Sequence, residues 1–403
     1  MDDKFRLRME RNIWLYAAYK MFTKRVFLPL TTIYASQVAG LTISQIGITT
    51  AIAAMASVLF DTASGFWADQ HGRKRSAQIG AALTTLGTSC YVLSPNFTGI
   101  LAASLITSVG FAFMSGAIDA LIHDTLVTLG RAHDYAKVAS RAQAVSLIAN
   151  AMLVGTVPLL YPIDPKYPFI IGTVAYCVLF FISTLITEPP IHHNAELEEK
   201  RFLRTVHKLL NRKTVLFFTM AGFMFSVANG TSDLFNLGFI SLGLDPRYIG
   251  FVFAGSSVFG AFIGFFIHQL KRLTFRQYAT LNVGYNLLLF AAFGLTRSLP
   301  FAITALVINL GLWRYEKILY QHYMLEVYGT TRYKATLMSL YSNFGSIHDI
   351  WLAFCFTRLA QHVGVLSSLS YGVALLLIAW PVLLFSINQF SANAAASVRL
   401  KNQ

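Results

Sequence analysis

The sequence predicts an all-α polytopic membrane protein of twelve transmembrane helices, arranged as two pseudo-symmetric six-helix halves. Three observations carry this. The chain of 403 residues is 55% hydrophobic and 12% charged, too apolar a balance for a soluble protein of that length. Apolar runs of about 20 residues, enough to cross a bilayer, recur from end to end. A charged loop after the second run has a counterpart at the equivalent place in the second half. The runs are long and continuous, whereas a transmembrane β-barrel would show short segments of alternating hydrophobicity.

Turn-forming clusters and charged loops set the order of the elements. QVAGLT, LSPNFT, YPIDPKYP, GLDPR and TRSLP read as short turns. With the charged loops they divide the chain into spans near 13–36, 43–68, 76–94, 97–122, 138–160, 167–187, 214–239, 247–268, 277–296, 301–325, 334–357 and 366–388. Residues 1–187 form the first half and 214–403 the second. The segment between them, 188–213, opens on paired prolines and becomes charged and helix-prone, with Phe202, Val206 and Leu209 near one face. It reads either as an amphipathic helix on the membrane surface or as a solvated tether.

The formal net charge of +14 points in a soluble chain to nucleic acid; here its distribution points to topology. Of the 32 Lys and Arg, 23 fall in the N-terminus, the loops at 73–75, 131–141, 200–213, 271–276 and 332–334, and the C-terminus. The alternate loops hold Lys166, Arg247, Arg297 and Arg358. That asymmetry obeys the positive-inside rule. It predicts a multi-pass protein of the cytoplasmic (inner) membrane with both termini cytoplasmic and lipid headgroups beside the basic loops. No nucleic-acid partner is expected, and the chain reads as a monomer. Cys90, Cys177 and Cys355 lie within apolar runs, so neither a disulfide nor a metal site is expected. No cofactor or nucleotide motif is visible. No cleavable signal peptide is evident, because the first apolar run is span-length and eleven more follow.

The stretch SGFWADQHGRKRS, residues 64–76, concentrates charge and glycine between the second and third spans. Shifting the chain by 199 residues lays GFWADQHGR (65–73) over GFFIHQLKR (264–272), with Gly, Phe, Gln and Arg coinciding at the same loop of each half. Two six-span halves related by a parallel repeat are the layout of a rocking transporter. Gly65 would allow close approach of a neighbouring helix and Gly72 a turn with positive φ. Asp69 can cap a helix or pair with Arg73.

Residues 65–75, GFWADQHGRKR, resemble the loop signature of the major facilitator superfamily, approximately G-x-L-a-D-R/K-x-G-R-R/K. Gly65, Asp69, Gly72, Arg73 and Lys74 match; Trp67 replaces the usual Leu and Gln70 the usual basic residue. The resemblance covers essentially the whole chain and implies a latch between the two halves at Asp69 and Arg73. Residues 115–143 resemble the fourth-span exit of a drug-efflux-like branch, with Asp119 and Asp124 placed with the latch, and TRYKATLMSL (331–340) resembles that branch's entry to span eleven. Two motifs of proton-driven drug exporters are absent: R-x-x-x-G from span four and G-x-x-x-G-P from span five.

Charges within spans are costly, about 2.5–3.5 kcal/mol each on insertion scales, and so mark sites or partners. Span one carries Lys20, Lys24 and Arg25, with Lys20 and Lys24 on one helical face and Pro29 expected to kink the helix and free the Arg25 carbonyl. They either line a cavity for an anionic substrate or pair with acids on other spans. Span ten carries Arg314, Glu316 and Lys317, which cannot share one face. Glu316 is the candidate proton-coupling carboxylate, the alternative being a static ion pair with the span-one lysines. His348 and Asp349 in span eleven form either a proton relay or separate contacts. In span seven, Asn229-Gly230 ahead of Asp233 breaks the helix, as an outer gate touching substrate or as a packed kink. Asn229, Asp233 and Arg314 join the basic residues of span one as candidate substrate contacts.

These features predict a secondary active transporter, not an enzyme. It moves a small organic solute, anionic or zwitterionic, by alternating access with proton coupling, and the branch resemblance favours efflux. The missing antiporter motif favours the alternative, uptake of an organic anion by symport. A membrane-embedded lipid-modifying enzyme would need a nucleophile with its base or clustered metal ligands, and His123-Asp124 is the one tempting pair. A channel or passive receptor would have no need of the latch loop.

Overall fold

The computed structural model describes residues 3–190, 212–328 and 334–401. The expected linker helix, with Phe202, Val206 and Leu209, lies outside them, as do residues 331–333. Within the described residues the regular structure is helical throughout. Among the described residues, eight segments are long and apolar enough to cross a membrane: Ile43–Asp61, Phe97–Thr128, Ala132–Leu160, Tyr167–Leu185, Val215–Ser241, Pro246–Ile267, Phe275–Thr296 and Val365–Gln389.

The helices in chain order are α1 (Asp3–Phe22), α2 (Thr31–Gln37), α3 (Ile43–His71), α4 (Arg73–Leu93), α5 (Phe97–Met114), α6 (Ala117–Thr128), α7 (Tyr135–Thr156) and α8 (Tyr167–Leu185). They continue with α9 (Arg212–Asn229), α10 (Ser232–Ser241), α11 (Ile249–Leu270), α12 (Phe275–Ala291), α13 (Leu299–Tyr328), α14 (Lys334–Val363) and α15 (Val365–Lys401). Regions 13–36, 76–94, 301–325 and 334–357 also contain long helix, in α1, α4, α13 and α14, but charged, hydroxyl and small residues dilute their apolar character.

Local chemistry sets the boundaries. Gly72, at φ 101°, separates α3 from α4, and Gly116, at φ 72°, separates α5 from α6; only glycine takes such angles without strain. Asn96 caps α5 by accepting the Gly99 N–H at 3.0 Å. Thr274 and Gln277 form a reciprocal capping box at the start of α12. Leu270 ends α11 within the 264–272 segment that aligned with 65–73.

Two compact units result, one of Met1–Leu41, Ile52–Glu199 and Pro246–Ala254, the other of Thr42–Ala51, Lys200–Asp245 and Gly255–Gln403. In the first unit, α4 packs closely on α5 and α8, and α1 on α7 and α8. Small residues make this possible: a Cβ on Gly110 would lie 2.8 Å from the Thr84 backbone nitrogen and 2.9 Å from the Gly80 carbonyl oxygen. In the second unit, α9 packs on α14 through Gly222 and Ser226, with Gly230 following four residues on, just past the helix end. Ser226 donates to the Gly345 carbonyl at 2.6 Å, and a Cβ on Gly222 would sit 2.9 Å from the Gly345 nitrogen.

Candidate functional site

Three polar clusters are sunk among these apolar helices. The first surrounds the start of α4. Arg73 donates through Nε and Nη2 to Asp69 Oδ1, each at 3.3 Å, and through Nη1 to Asp124 Oδ2 on α6. Its backbone N–H donates to Glu188 at 2.9 Å, and that of Lys74 to the other carboxylate oxygen at 2.7 Å. Glu188 thus covers two N–H groups that the first turn of α4 leaves open, at the positive end of its dipole. Sequence reading passed over Glu188, although an acid directly before paired prolines at a span end marks a fixed chain exit. His123 Nδ1 stands 3.5 Å from Asp124, but that carboxylate already holds Arg73, so the pair is not a nucleophile with its base.

The expectations for Gly65 and Asp119 need correction. Gly65 has no atom within 4 Å of where a Cβ would stand, so helix approach is not what this glycine provides here. Asp119 pairs with span one and not with Arg73. Its oxygens take Lys20 Nζ at 2.8 and 2.9 Å and the Tyr16 hydroxyl at 2.6 Å. Lys20 therefore follows the second of the readings left open for it, pairing with an acid on another helix.

The second cluster lies at the break that follows α1. The α1 helix ends at Phe22, and Leu28–Leu30 form a single 3₁₀ turn before α2. Pro29 accounts for the break, since it has no N–H for the Arg25 carbonyl. That carbonyl is not left free; it accepts the Leu28 N–H at 3.0 Å. Because the break begins upstream of the proline, Lys24 lies off the helix and does not share a helical face with Lys20. Phe27 fills the interruption by packing on α8 where Gly172 has no side chain, with ring contacts to Tyr91, Phe169 and Tyr176. Arg25 places its guanidinium carbon Cζ over the Phe111 ring, 3.9 Å from the centroid.

The third cluster belongs to the second unit. Glu316 is fully buried, accepting from Asn282 Nδ2 at 2.8 Å and from the Tyr285 hydroxyl at 3.4 Å. Behind it the amides continue: Asn286 Nδ2 donates to Asn282 Oδ1 at 3.2 Å, and Asn309 Nδ2 to Asn286 Oδ1 at 2.9 Å. Asn282, Tyr285 and Asn286, spaced as i, i+3 and i+4, share one face of α12, a pattern the sequence offered and the span reading did not use. Arg314 leaves α13 on another side and donates to Ser257 on α11 at 2.8 Å. The Lys317 side chain lies outside the described residues.

The same unit holds the remaining candidates. The helix breaks at Gly230–Thr231 between α9 and α10, and Gly230 packs against the α14 backbone, 3.1 Å from Asp349 Cα to its notional Cβ. Asn229 donates to Asp349 Oδ2 at 2.8 Å. His348 instead accepts from Trp351 Nε1 at 2.7 Å, so these sequence neighbours have separate partners. Asp233 accepts from the Thr50 hydroxyl at 2.5 Å. No group of three or more His, Cys, Asp or Glu gathers as a metal site among the described residues.

Long apolar helices with ion pairs between them and a helix break at two basic residues are the features of a multi-pass membrane protein. Residues 13–351 match the model of the Major Facilitator Superfamily, and the chain belongs to that family. It is 24% identical over 356 residues, 85% of this chain and 87% of the other, to the uncharacterized MFS-type transporter YxaM of Bacillus subtilis (strain 168). Its fold is similar to that of the nucleoside transporter NupG, with a TM-score of 0.75 and 13% identity over 95% of this chain and 98% of that one. It is also similar to the POT family transporter PepTSo, with a TM-score of 0.73 and 10% identity over 96% and 98%. The chain is a transporter, not an enzyme.

Proposed function

We propose that the chain is a secondary active transporter that moves a small organic solute, anionic or zwitterionic, across the cytoplasmic membrane by alternating access coupled to protons. Residues 1–187 and 214–403 are its two moving halves and 188–213 their linker. Both termini are cytoplasmic, in keeping with the distribution of Lys and Arg. The observation that carries the coupling is Glu316. Among the described residues, this fully buried carboxyl has an amide and a phenol as partners and no cation. A carboxyl so placed can take a proton in one access state and release it when water reaches it from the other side. Asp349, held by Asn229, is the second candidate, with His348 beside it. The Asp69–Arg73–Asp124 cluster, with Gly72 as its turn, is the latch between access states, and Lys24, Arg25, Asn229, Asp233 and Arg314 contact solute.

Efflux is the favoured direction, on the likeness of residues 115–143 to a drug-efflux-like branch. Uptake of an organic anion is the second reading, favoured by the absence of G-x-x-x-G-P from span five. The test is solute-driven pH change in proteoliposomes across a broad panel that includes nucleosides and short peptides, the cargoes of its structural neighbours. The wild type is expected to move protons with its solute and Glu316→Gln to lose that movement. Undiminished, proton-free transport by the wild type would refute the coupling.

A further inference from the structure

We infer that the break in the first span carries a carboxylate-binding site whose donors are Arg25 and Tyr176, so that the transported solute bears a carboxylate. The inference rests on the transporter reading above and narrows its solute class.

Arg25 is held over an aromatic ring. Arg6, Lys20, Arg73 and Arg131 each meet a carboxylate, whereas no ion pair among the described residues uses Arg25. Arg25 is partly buried and its guanidinium carbon lies over the Phe111 ring. Stacking occupies the π face of a guanidinium and leaves its N–H edge free, the edge that matches a carboxylate with two parallel hydrogen bonds. The second observation is independent of the first. Tyr176 is fully buried, and its hydroxyl has no hydrogen-bond partner among the described residues. An unmet buried hydroxyl costs about 1–3 kcal/mol.

Phe111 joins the two. Arg25 lies on its face, and the Tyr176 ring meets it edge-on at 6.0 Å between centroids. The surroundings are built rather than accidental: Gly172, one turn before Tyr176, admits Phe27 against α8, and Phe27 meets the Tyr176 ring at 6.3 Å. One carboxylate would accept from the guanidinium edge and from the phenol, satisfying both groups at once. Irregular backbone at this depth is tolerated where protein buries it or where it lines water, which is where a solute passes.

The test is ligand-dependent thermal stabilisation of the purified full chain in detergent, at fixed ionic strength and neutral pH. The probes are acetate, benzoate, indole-3-acetate, benzamide and phenylphosphonate. Saturable stabilisation is expected from at least one carboxylate, with benzamide inert and phenylphosphonate weaker. Arg25→Lys keeps the charge but loses the fork, and should weaken that carboxylate about tenfold or more. Tyr176→Phe keeps the ring packing and removes one oxygen; it should weaken binding by about tenfold even if Arg25→Lys does not fold. The site is refuted if no carboxylate stabilises the wild type, if benzamide or phenylphosphonate does as well, or if Tyr176→Phe binds like wild type. Transport of a neutral or cationic solute in proteoliposomes, with no carboxylate bound here, would refute this site and leave the transporter reading intact.

Discussion

Arg73, the first residue of α4, and Asp124, in the middle of α6, form an ion pair whose side chains are 13% and 7% exposed. Such a pair is costly to break from one side, because the surviving charge stays buried. Arg73→Ala is expected to destabilise the chain by about 3–5 kcal/mol. Asp69→Asn should cost less, since Asp69 is 26% exposed and its contacts to Arg73 are 3.3 Å. Thermal unfolding midpoints of the three proteins in one detergent give the ordering, and equal midpoints for the two variants would contradict it.

Glu188 holds the α4 terminus from the far end of α8. With both carboxylate oxygens engaged by the N–H groups of Arg73 and Lys74, Glu188→Ala should cost about 1 kcal/mol, the scale of a lost cap. Glu188→Gln keeps one acceptor and should recover part of it. Hydrogen exchange reports this locally: the first-turn amides of α4 should exchange faster in the alanine variant. Unchanged protection there would show that the cap has no role in holding the turn.

Two glycines of similar sequence context should behave oppositely. Gly110 on α5 faces backbone atoms of α4 that cannot move without the helix moving, so Gly110→Ala is expected to destabilise by about 1–3 kcal/mol. Gly65 meets nothing within 4 Å and lies inside α3, where alanine is the better helix former. Gly65→Ala should be neutral or stabilising by about 0.5–1 kcal/mol. A transport defect in a stable Gly65→Ala protein would show that a second conformation, not this one, needs the glycine.

The helical class was legible because apolar runs of span length cannot be hidden in a sequence, and Gly72 and Gly230 announced their breaks. The partners were less legible. Pro29 foretold a break in span one but not its upstream start, which depends on Phe27 packing where α8 has Gly172, a contact 145 residues away in sequence. Asp119 and Asp124 looked alike in SGAIDALIHDTL, yet one faces Lys20 and the other Arg73, because residues five apart on a helix point in different directions. Glu188 acts through partners more than a hundred residues away and Asn282 meets Glu316 34 residues on, so their sequence neighbourhoods gave at most a face or a turn.

Asn282 offers the sharpest test of the Glu316 cluster. Its amide donates to Glu316 at 2.8 Å and its carbonyl oxygen accepts from Asn286 at 3.2 Å, all at full burial. Asn282→Leu leaves the carboxyl without its amide donor and Asn286 without that acceptor. The carboxyl's loss is worth about 1–3 kcal/mol, while Asn286 Nδ2 keeps the Asn282 backbone carbonyl at 3.0 Å, so the variant should unfold at a clearly lower temperature. In a Glu316→Leu background one of those losses has already been removed, and the same substitution should cost less. A double-mutant cycle across Asn282 and Glu316 is therefore expected to give a coupling of about 0.5–1.5 kcal/mol, the scale of a net hydrogen bond. If the coupling is near zero, Asn282 does not hold this carboxyl in the folded protein.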